Sequence, residues 1–180
     1  MYRIPSGLRE NARFPLPSEN CFPAGQGSVL DLGAIFPHDD GMILELHSPL
    51  DMHLHLRDGD MMKLVAPLSS ASFAGAVIMP NLVPPVADAG AVQAYRQRVL
   101  DACGDDVFQP YMTAFFRSYS EKELSRLKEL VFGIKLYPAG ATTNSEGGVK
   151  AMKDAEATLS IMQEMDIPLL VHGESHGFVM

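Results

Sequence analysis

The chain has 180 residues, of which 47% are hydrophobic and 20% charged, and its formal net charge is −8. This composition excludes an intrinsically disordered chain. The negative charge argues against nucleic-acid and anionic-membrane partners, which attract basic surfaces. No apolar run reaches the ~20 residues that span a bilayer, and the amino terminus lacks a secretory signal pattern. We therefore expect a cytoplasmic protein.

Residues 1–42 differ from the rest of the chain in their content of turn-forming residues. They hold Pro and Gly at many positions and show no sustained helical or alternating pattern. Such a stretch predicts an irregular extension, with a short strand near residues 28–35. The predicted organisation is an extension over residues 1–42 and a folded domain over residues 43–180.

Five apolar runs of strand length follow the extension. They lie at residues 42–46, 75–79, 107–113, 131–136 and 168–171. Each is short enough for a buried strand, and helical patterns separate them.

The helical segments between these runs carry recognisable start signals. Asp88 is a predicted N-cap, and Ser120 with Glu123 forms a capping-box pair. A segment at residues 61–73 is a weaker helix prediction because Pro67 interrupts it. A last helical stripe consists of Met152, Ala155, Leu159 and Met162.

The alternation of strands and helices predicts parallel strands joined by right-handed crossovers. Two architectures fit this order: a doubly wound open sheet and part of a (β/α)8 barrel. Polar residues follow the carboxyl ends of several apolar strands, as on the catalytic face of such a barrel. The first strand-to-helix turn carries neither GxGxxG nor a P-loop, which weakens a nucleotide-binding alternative.

The stretch at residues 51–58, DMHLHLRD, is the most informative motif. Residues two apart in a strand point to the same side, so His53 and His55 project together. Two adjacent imidazoles make half of a divalent metal site. Arg57 continues the row and offers a planar fork for a carboxylate. The alternative is a polar strand edge with unrelated histidines.

Lys135 lies inside an apolar strand, where a charged side chain is costly unless it is paired or neutralised. Three interpretations compete. The side chain extends to solvent, or it is a desolvated Schiff-base nucleophile, or it reacts with carbon dioxide to give a carbamate that bridges two metals. The neighbouring histidine motif favours the carbamate.

Three further polar positions follow apolar strands. His172 is a metal ligand or a hydrogen-bonded core histidine, and its place at a strand end favours the ligand. Asn81 is an amide donor to a substrate or a turn residue. The glycine-rich segment at residues 141–148, with Thr142 and Thr143, is a mobile lid or a simple connector.

Four motifs together resemble the dihydroorotases, in their shorter bacterial type. They are DMHLHLRDG at residues 51–59, VIMPNLVPP at 77–85, KLYPAGATTN at 135–144 and PLLVHGE at 168–174. The resemblance covers roughly residues 46–180 and implies a (β/α)8 barrel of the metal-dependent amidohydrolase superfamily.

The resemblance implies a site with two zinc ions. His53 and His55 would bind the more buried ion, His172 would bind the second, and Lys135, as its carbamate, would bridge them. Zinc would lower the pKa of a water molecule and polarise the ring carbonyl.

The resemblance also implies a small-molecule substrate. Arg57 and Asn81 would hold its carboxylate, and Thr142 and Thr143 would lie on a loop that closes over it. The reaction would be the reversible cyclisation of N-carbamoyl-L-aspartate to dihydroorotate, in pyrimidine synthesis.

Two family positions have no counterpart up to Met180: a histidine on the sixth barrel strand and an aspartate on the eighth, which is a metal ligand and proton shuttle. No catalytic residue is therefore assigned. About 138 residues follow the extension, whereas a closed barrel needs at least about 200. We therefore expect an incomplete barrel of about five βα units. By itself, this chain should be inactive. The complete enzyme could form a homodimer.

Other functions remain as alternatives. A second cyclic-amide hydrolase of the same superfamily would act on a hydantoin-like ring. A truncated barrel would bind metal without catalysis. A Schiff-base aldolase built on Lys135 is a more distant alternative.

Overall fold

A computed structural model describes residues 28–31, 43–141 and 143–173, with side chains from residue 46 onward. The chain divides into two units, Met1–His47 and Ser48–Met180, and each is described by itself. In the first unit, β1 (Ser28–Asp31) pairs antiparallel with β2 (Ile43–Leu46). The strand predicted near residues 28–35 is thus present at its start, and its second half lies outside the described residues.

The first strand of the parallel series differs from the prediction. Residues 43–46 form a strand, but it belongs to the antiparallel pair. The parallel sheet begins instead at β3 (Leu50–Leu54), after a break at Ser48, whose φ is +51°. The polar residues Asp51 and His53 interrupt the apolar run in β3, and for that reason hydrophobicity did not mark it as a strand.

The second unit is built on five parallel strands that curl into a half-barrel. The strands after β3 are β4 (Gly75–Ile78), β5 (Gln109–Phe115), β6 (Gly133–Leu136) and β7 (Leu169–Val171). Each strand pairs with the next along the chain. A doubly wound sheet would reverse its strand order, so this order confirms the predicted partial barrel.

Helices follow the first four strands of this sheet. They are α1 (Gly59–Ser70), α2 (Ala89–Cys103), α3 (Glu121–Lys128) and α4 (Glu156–Glu164), the last preceded by a 3-10 helix (Met152–Asp154). The predicted caps are confirmed. Asp88 accepts a hydrogen bond from the Ala91 amide, and Ser120 forms a capping box with Glu123.

Among the described residues, no helix has the length and apolar character to cross a membrane.

Helix α1 runs through Pro67, which the sequence analysis treated as an interruption. Pro67 lies on the exposed side of the helix, and its carbonyl accepts a hydrogen bond from the Ala71 amide. The opposite side buries Met62, Ala66 and Ser70. Burial of this face offsets the missing proline hydrogen bond.

The main core lies between the sheet and the helices. In β6, Ile134 and Leu136 belong to this core together with the helix residue Leu124. Successive strand residues point to opposite faces, so Lys135 and Tyr137 face away from the helices. The predicted site residues lie near the carboxyl edge of the sheet, and Lys135 and Tyr137 lie there on the face opposite the helices.

Candidate active site

The histidine pair lies at the end of β3. The Nε2 atoms of His53 and His55 are 3.1 Å apart. Two imidazoles on one tetrahedral zinc ion, at ~2.0–2.1 Å each, would have nitrogens about 3.3 Å apart. This spacing is compatible with both nitrogens binding a single cation. The Asp51 carboxylate accepts a hydrogen bond from the His53 amide and holds the backbone here.

The surroundings of the pair favour neutral imidazoles. Burial lowers the pKa of His53, and the charges of Lys135 and His172 lower it further, while Asp51 opposes them. Burial also lowers the pKa of His55, followed by the charges of His53 and Arg57. Neutral imidazole is the metal-binding form, so both side chains are held in the state that a cation requires.

Lys135 is buried in the middle of the sheet. Its side chain is 3% exposed, and burial lowers its pKa. No ion pair to Lys135 occurs within the described residues, and its Nζ lies 5.4 Å from the Tyr137 ring centroid. This burial removes the interpretation in which the lysine extends to solvent. The Schiff-base and carbamate interpretations both need such a desolvated amine.

His172 follows β7 at the same edge. Its amide donates to the Leu136 carbonyl at 2.9 Å, and its ring lies 6.0 Å from that of Tyr137. Its charge reaches His53, as noted above. Within residues 46–141 and 143–173, no three His, Cys, Asp or Glu side chains converge on one metal position. The donor types nevertheless fit a divalent metal: an imidazole pair, a third imidazole nearby and a buried amine that can be carboxylated.

Arg57 lies in a backbone turn that α2 supports. Its φ is +61°, a conformation that non-glycine residues rarely adopt. The Tyr95 hydroxyl donates to the Arg57 carbonyl at 2.9 Å, and Arg98 forms a two-pronged bond with Asp58. The Asp58–Arg98 pair is nearly half exposed, so it contributes about 1 kcal/mol at most. Its main effect is to orient the turn.

Asn81 lies at the end of β4 and contacts the glycine-rich loop. It is 2% exposed, and its Nδ2 donates to the Thr143 carbonyl at 2.9 Å. In return, the Asn144 Nδ2 donates to the Asn81 carbonyl at 3.2 Å. The Asn81 side chain also partly opposes the lowering of the His55 pKa. The Thr143 residue is exposed, and Thr142 lies outside the described residues.

The loop at residues 138–149 has ordered internal bonds. The Val149 amide donates to the Tyr137 carbonyl, and the Val149 carbonyl accepts from the Ala139 amide. A Cβ at Gly148 would overlap the Tyr137 carbonyl oxygen. Only glycine therefore permits this close approach. The segment predicted as a mobile lid or a simple connector is thus hydrogen-bonded, in its described residues, to itself and to Asn81.

Tyr137 lies beside Lys135 and His172, and the sequence analysis gave it no role. Its ring stacks on Phe115 with centroids 5.3 Å apart, and the side chain is 1% exposed. The sequence does contain a clue to its position: Tyr137 comes two residues after Lys135, so both side chains lie on the same face of the strand. Tyr95 and Arg98, which support the Arg57 turn, had no comparable signal.

The chain is similar in sequence to several known proteins. No family model matches the chain. Curated dihydroorotases do: the Nitrosomonas europaea protein is 48% identical over 132 residues, and the Rhizobium johnstonii protein is 46% identical over 135 residues. These alignments cover 70% and 73% of this chain but 38% and 39% of the relatives. The chain thus spans about two fifths of the length of the curated relatives it matches.

Solved structures agree with the sequence relatives. The Campylobacter jejuni dihydroorotase matches with a TM-score of 0.71 and 55% identity, over 74% of this chain and 40% of that one. The Saccharomyces cerevisiae dihydroorotase, solved with 5-fluoroorotic acid, matches with a TM-score of 0.65 and 30% identity, over 73% and 37%. An Arthrobacter aurescens L-hydantoinase, 17% identical with a TM-score of 0.53, shares the fold. The chain is therefore a relative of the dihydroorotases, a metal-dependent family.

Proposed function

We propose that this chain carries part of the active site of a dihydroorotase. Such an enzyme reversibly cyclises N-carbamoyl-L-aspartate to (S)-dihydroorotate in pyrimidine synthesis. The observation that carries the proposal is that the closely spaced His53–His55 pair and the buried Lys135 lie on strands of the same partial barrel, near the carboxyl edge of its sheet. The dihydroorotase relatives, both curated and solved, support the same reaction.

Four side chains of this chain would hold two zinc ions. His53 and His55 would bind one, His172 the other, and Lys135 would bridge both after its neutral amine adds to carbon dioxide and loses a proton. The low exposure of Lys135 and its depressed pKa support that reaction, because only the neutral amine is nucleophilic. Zinc, when bound, supplies Lewis acidity toward water and the amide carbonyl.

The remaining residues would bind and enclose the substrate. Arg57 and Asn81 would hold its carboxylate, the first through its charged fork and the second through its amide. The loop that carries Thr142 and Thr143 would close over the ring and exclude water. Asn81 already contacts this loop through the Thr143 carbonyl, so carboxylate binding and loop position would be coupled.

The setting of the proposed enzyme follows from the same assignment. Its partner is a small-molecule substrate, its location the cytoplasm, and a homodimer is the proposed assembly of the complete protein. The amino-terminal residues 1–42 would be an extension, and the barrel domain predicted for residues 43–180 would begin at β3, since residues 43–46 pair with β1 instead.

The test uses the whole protein that carries this chain, loaded with zinc. Dihydroorotate and N-carbamoyl-L-aspartate are supplied separately, and both compounds are followed by chromatography. We expect conversion in both directions, loss of activity with a chelator and recovery with zinc. Replacing His55 by Asn should lower kcat/KM at least about 100-fold, since a metal ligand is lost.

The matched control is His47→Asn, which alters an exposed histidine outside the site. Its activity should equal that of the unaltered protein. Hydrolysis of hydantoin with none of dihydroorotate would instead indicate the alternative cyclic-amide hydrolase. Full activity of the His55→Asn protein would refute the proposed site.

A further inference from the structure

Two buried polar atoms in the part of the chain that the structure describes have no hydrogen-bond partner: Arg57 Nη1 and Tyr137 Oη. Buried polar groups are normally bonded, and each exception calls for an explanation. The other two tyrosine hydroxyls buried beside the sheet follow this rule. Tyr95 donates to the Arg57 carbonyl, and Tyr119 donates to the carbonyls of Ala87 and Phe115.

The Tyr137 hydroxyl cannot easily turn toward another partner. Its ring stacks on Phe115 and lies 6.0 Å from the His172 ring, and Lys135 Nζ lies 5.4 Å from its centroid. The Val149 amide bonds to the Tyr137 carbonyl and fixes the backbone. A tyrosine has only two side-chain torsions, and packing on these sides restricts both. The hydroxyl therefore keeps its direction within the site.

The two unpartnered atoms belong to side chains at the same carboxyl edge of the parallel sheet, because Arg57 follows β3 and Tyr137 follows β6. Both groups are donors: the guanidinium has no acceptor, and the protonated phenol has a hydrogen to give. A carboxylate, which accepts about four hydrogen bonds through two oxygens, matches both.

We propose that Tyr137 is a further substrate-binding residue, whose hydroxyl donates to the same substrate carboxylate that Arg57 binds. The inference rests on the proposed function for the identity of the substrate. This contact would contribute to specificity, because the hydroxyl would not increase the affinity for a ring that lacks the carboxylate. The competing acceptor is a carbamate on Lys135, and zinc content separates that case.

The experiment compares the whole zinc-loaded protein with its Tyr137→Phe variant, which keeps the stacked ring and removes one oxygen. The probes are 5-fluoroorotate and 5-fluorouracil, which share a ring and differ by the carboxylate. Affinities are measured by calorimetry and zinc by elemental analysis. We expect 5-fluoroorotate to bind about tenfold more weakly to the variant, as for a lost bond to a charged group. We expect unchanged 5-fluorouracil affinity and zinc content.

Kinetics give a second readout. The KM for dihydroorotate should rise about tenfold with kcat nearly unchanged, because the lost contact is present in ground and transition states alike. The control is Tyr111→Phe, which removes a hydroxyl from the amino-terminal part of β5 and should change none of these values.

Three results would overturn the inference: unchanged 5-fluoroorotate affinity, equal weakening of both probes, or loss of zinc from the variant. Failure of the proposed function is distinct. An unaltered protein that binds 5-fluoroorotate but does not convert dihydroorotate would refute the reaction and leave the carboxylate contact testable by binding. An unaltered protein that binds no 5-fluoroorotate would refute both.

Discussion

At the scale of single residues, the buried lysine is the most telling feature. Among the residues that the structure describes, Lys135 is the only charged residue that is almost completely buried. Its charge there is unfavourable, because burial without an ion pair favours the neutral amine. A structural role would be served better by an apolar side chain. We infer that the position is occupied by lysine for its chemistry.

Replacing Lys135 by Ala should lower the zinc content of the whole protein by at least about half, since the proposed bridge joins both metals. Elemental analysis of protein purified in the presence of zinc and bicarbonate measures this. The alanine variant should also lose activity in proportion to the lost metal.

Lys153→Ala is the matched control, because Lys153 is exposed in the 3-10 helix before α4. Its zinc content should equal that of the unaltered protein. Two zinc ions retained by the Lys135→Ala variant would contradict the carbamate role.

At the scale of elements, two side-chain hydrogen bonds join the loop at residues 138–149 to the end of β4: one from Asn81 to the Thr143 carbonyl and one from Asn144 to the Asn81 carbonyl. Asn144 has a φ of +57° and donates its amide to the Asn81 carbonyl. Asparagine tolerates this left-handed conformation better than most residues. The residue therefore meets a backbone requirement and supplies a contact at once.

Asn144→Gly should loosen the loop without straining it. Glycine adopts the same φ but lacks the amide, and a lost neutral hydrogen bond changes local opening about two- to tenfold. Hydrogen–deuterium exchange followed by mass spectrometry should show faster exchange over residues 139–149 and no change in β6.

Glu146→Ala, an exposed change in the same loop, should leave the exchange unaltered. Equal protection of the loop in the Asn144→Gly and unaltered proteins would show that the bond to Asn81 does not hold it.

At the scale of the whole molecule, the five-stranded sheet has two edge strands. Large apolar side chains are exposed on both: Met52 is 59% exposed on β3, and Val171 is 55% exposed on β7. Unpaired backbone and apolar surface at a sheet edge favour association with other chains. Taken alone, these 180 residues should therefore associate with one another.

Sedimentation velocity over a concentration series should show oligomers of the 180-residue chain that grow with concentration. The double change Met52→Lys and Val171→Lys should reduce them, because charge at an edge strand opposes pairing.

The control adds the same charge elsewhere, through Gln93→Lys and Gln97→Lys on the exposed side of α2. That variant should associate like the unaltered chain. A chain that stays monomeric at all concentrations would contradict the role of the edges.

Much of this protein could be predicted from local spacing. The alternation of strands and helices, the caps at Asp88 and Ser120, and the paired orientation of His53 and His55 each depend on neighbouring residues. Backbone geometry relates such residues directly, with a period of two in strands and 3.6 in helices. The resemblance to dihydroorotases also rests on short motifs, and the relatives bear it out.

Other features depend on contacts between distant parts of the chain. Hydrophobic periodicity alone fitted both a barrel and a doubly wound sheet, and strand order confirms the barrel that the resemblance implied. Packing against the core allows α1 to continue through Pro67. The support of Arg57 by Tyr95 and the missing acceptor of Tyr137 join different elements. Tertiary packing sets these relations, because burial and hydrogen bonding are properties of the folded surroundings that residue order does not display.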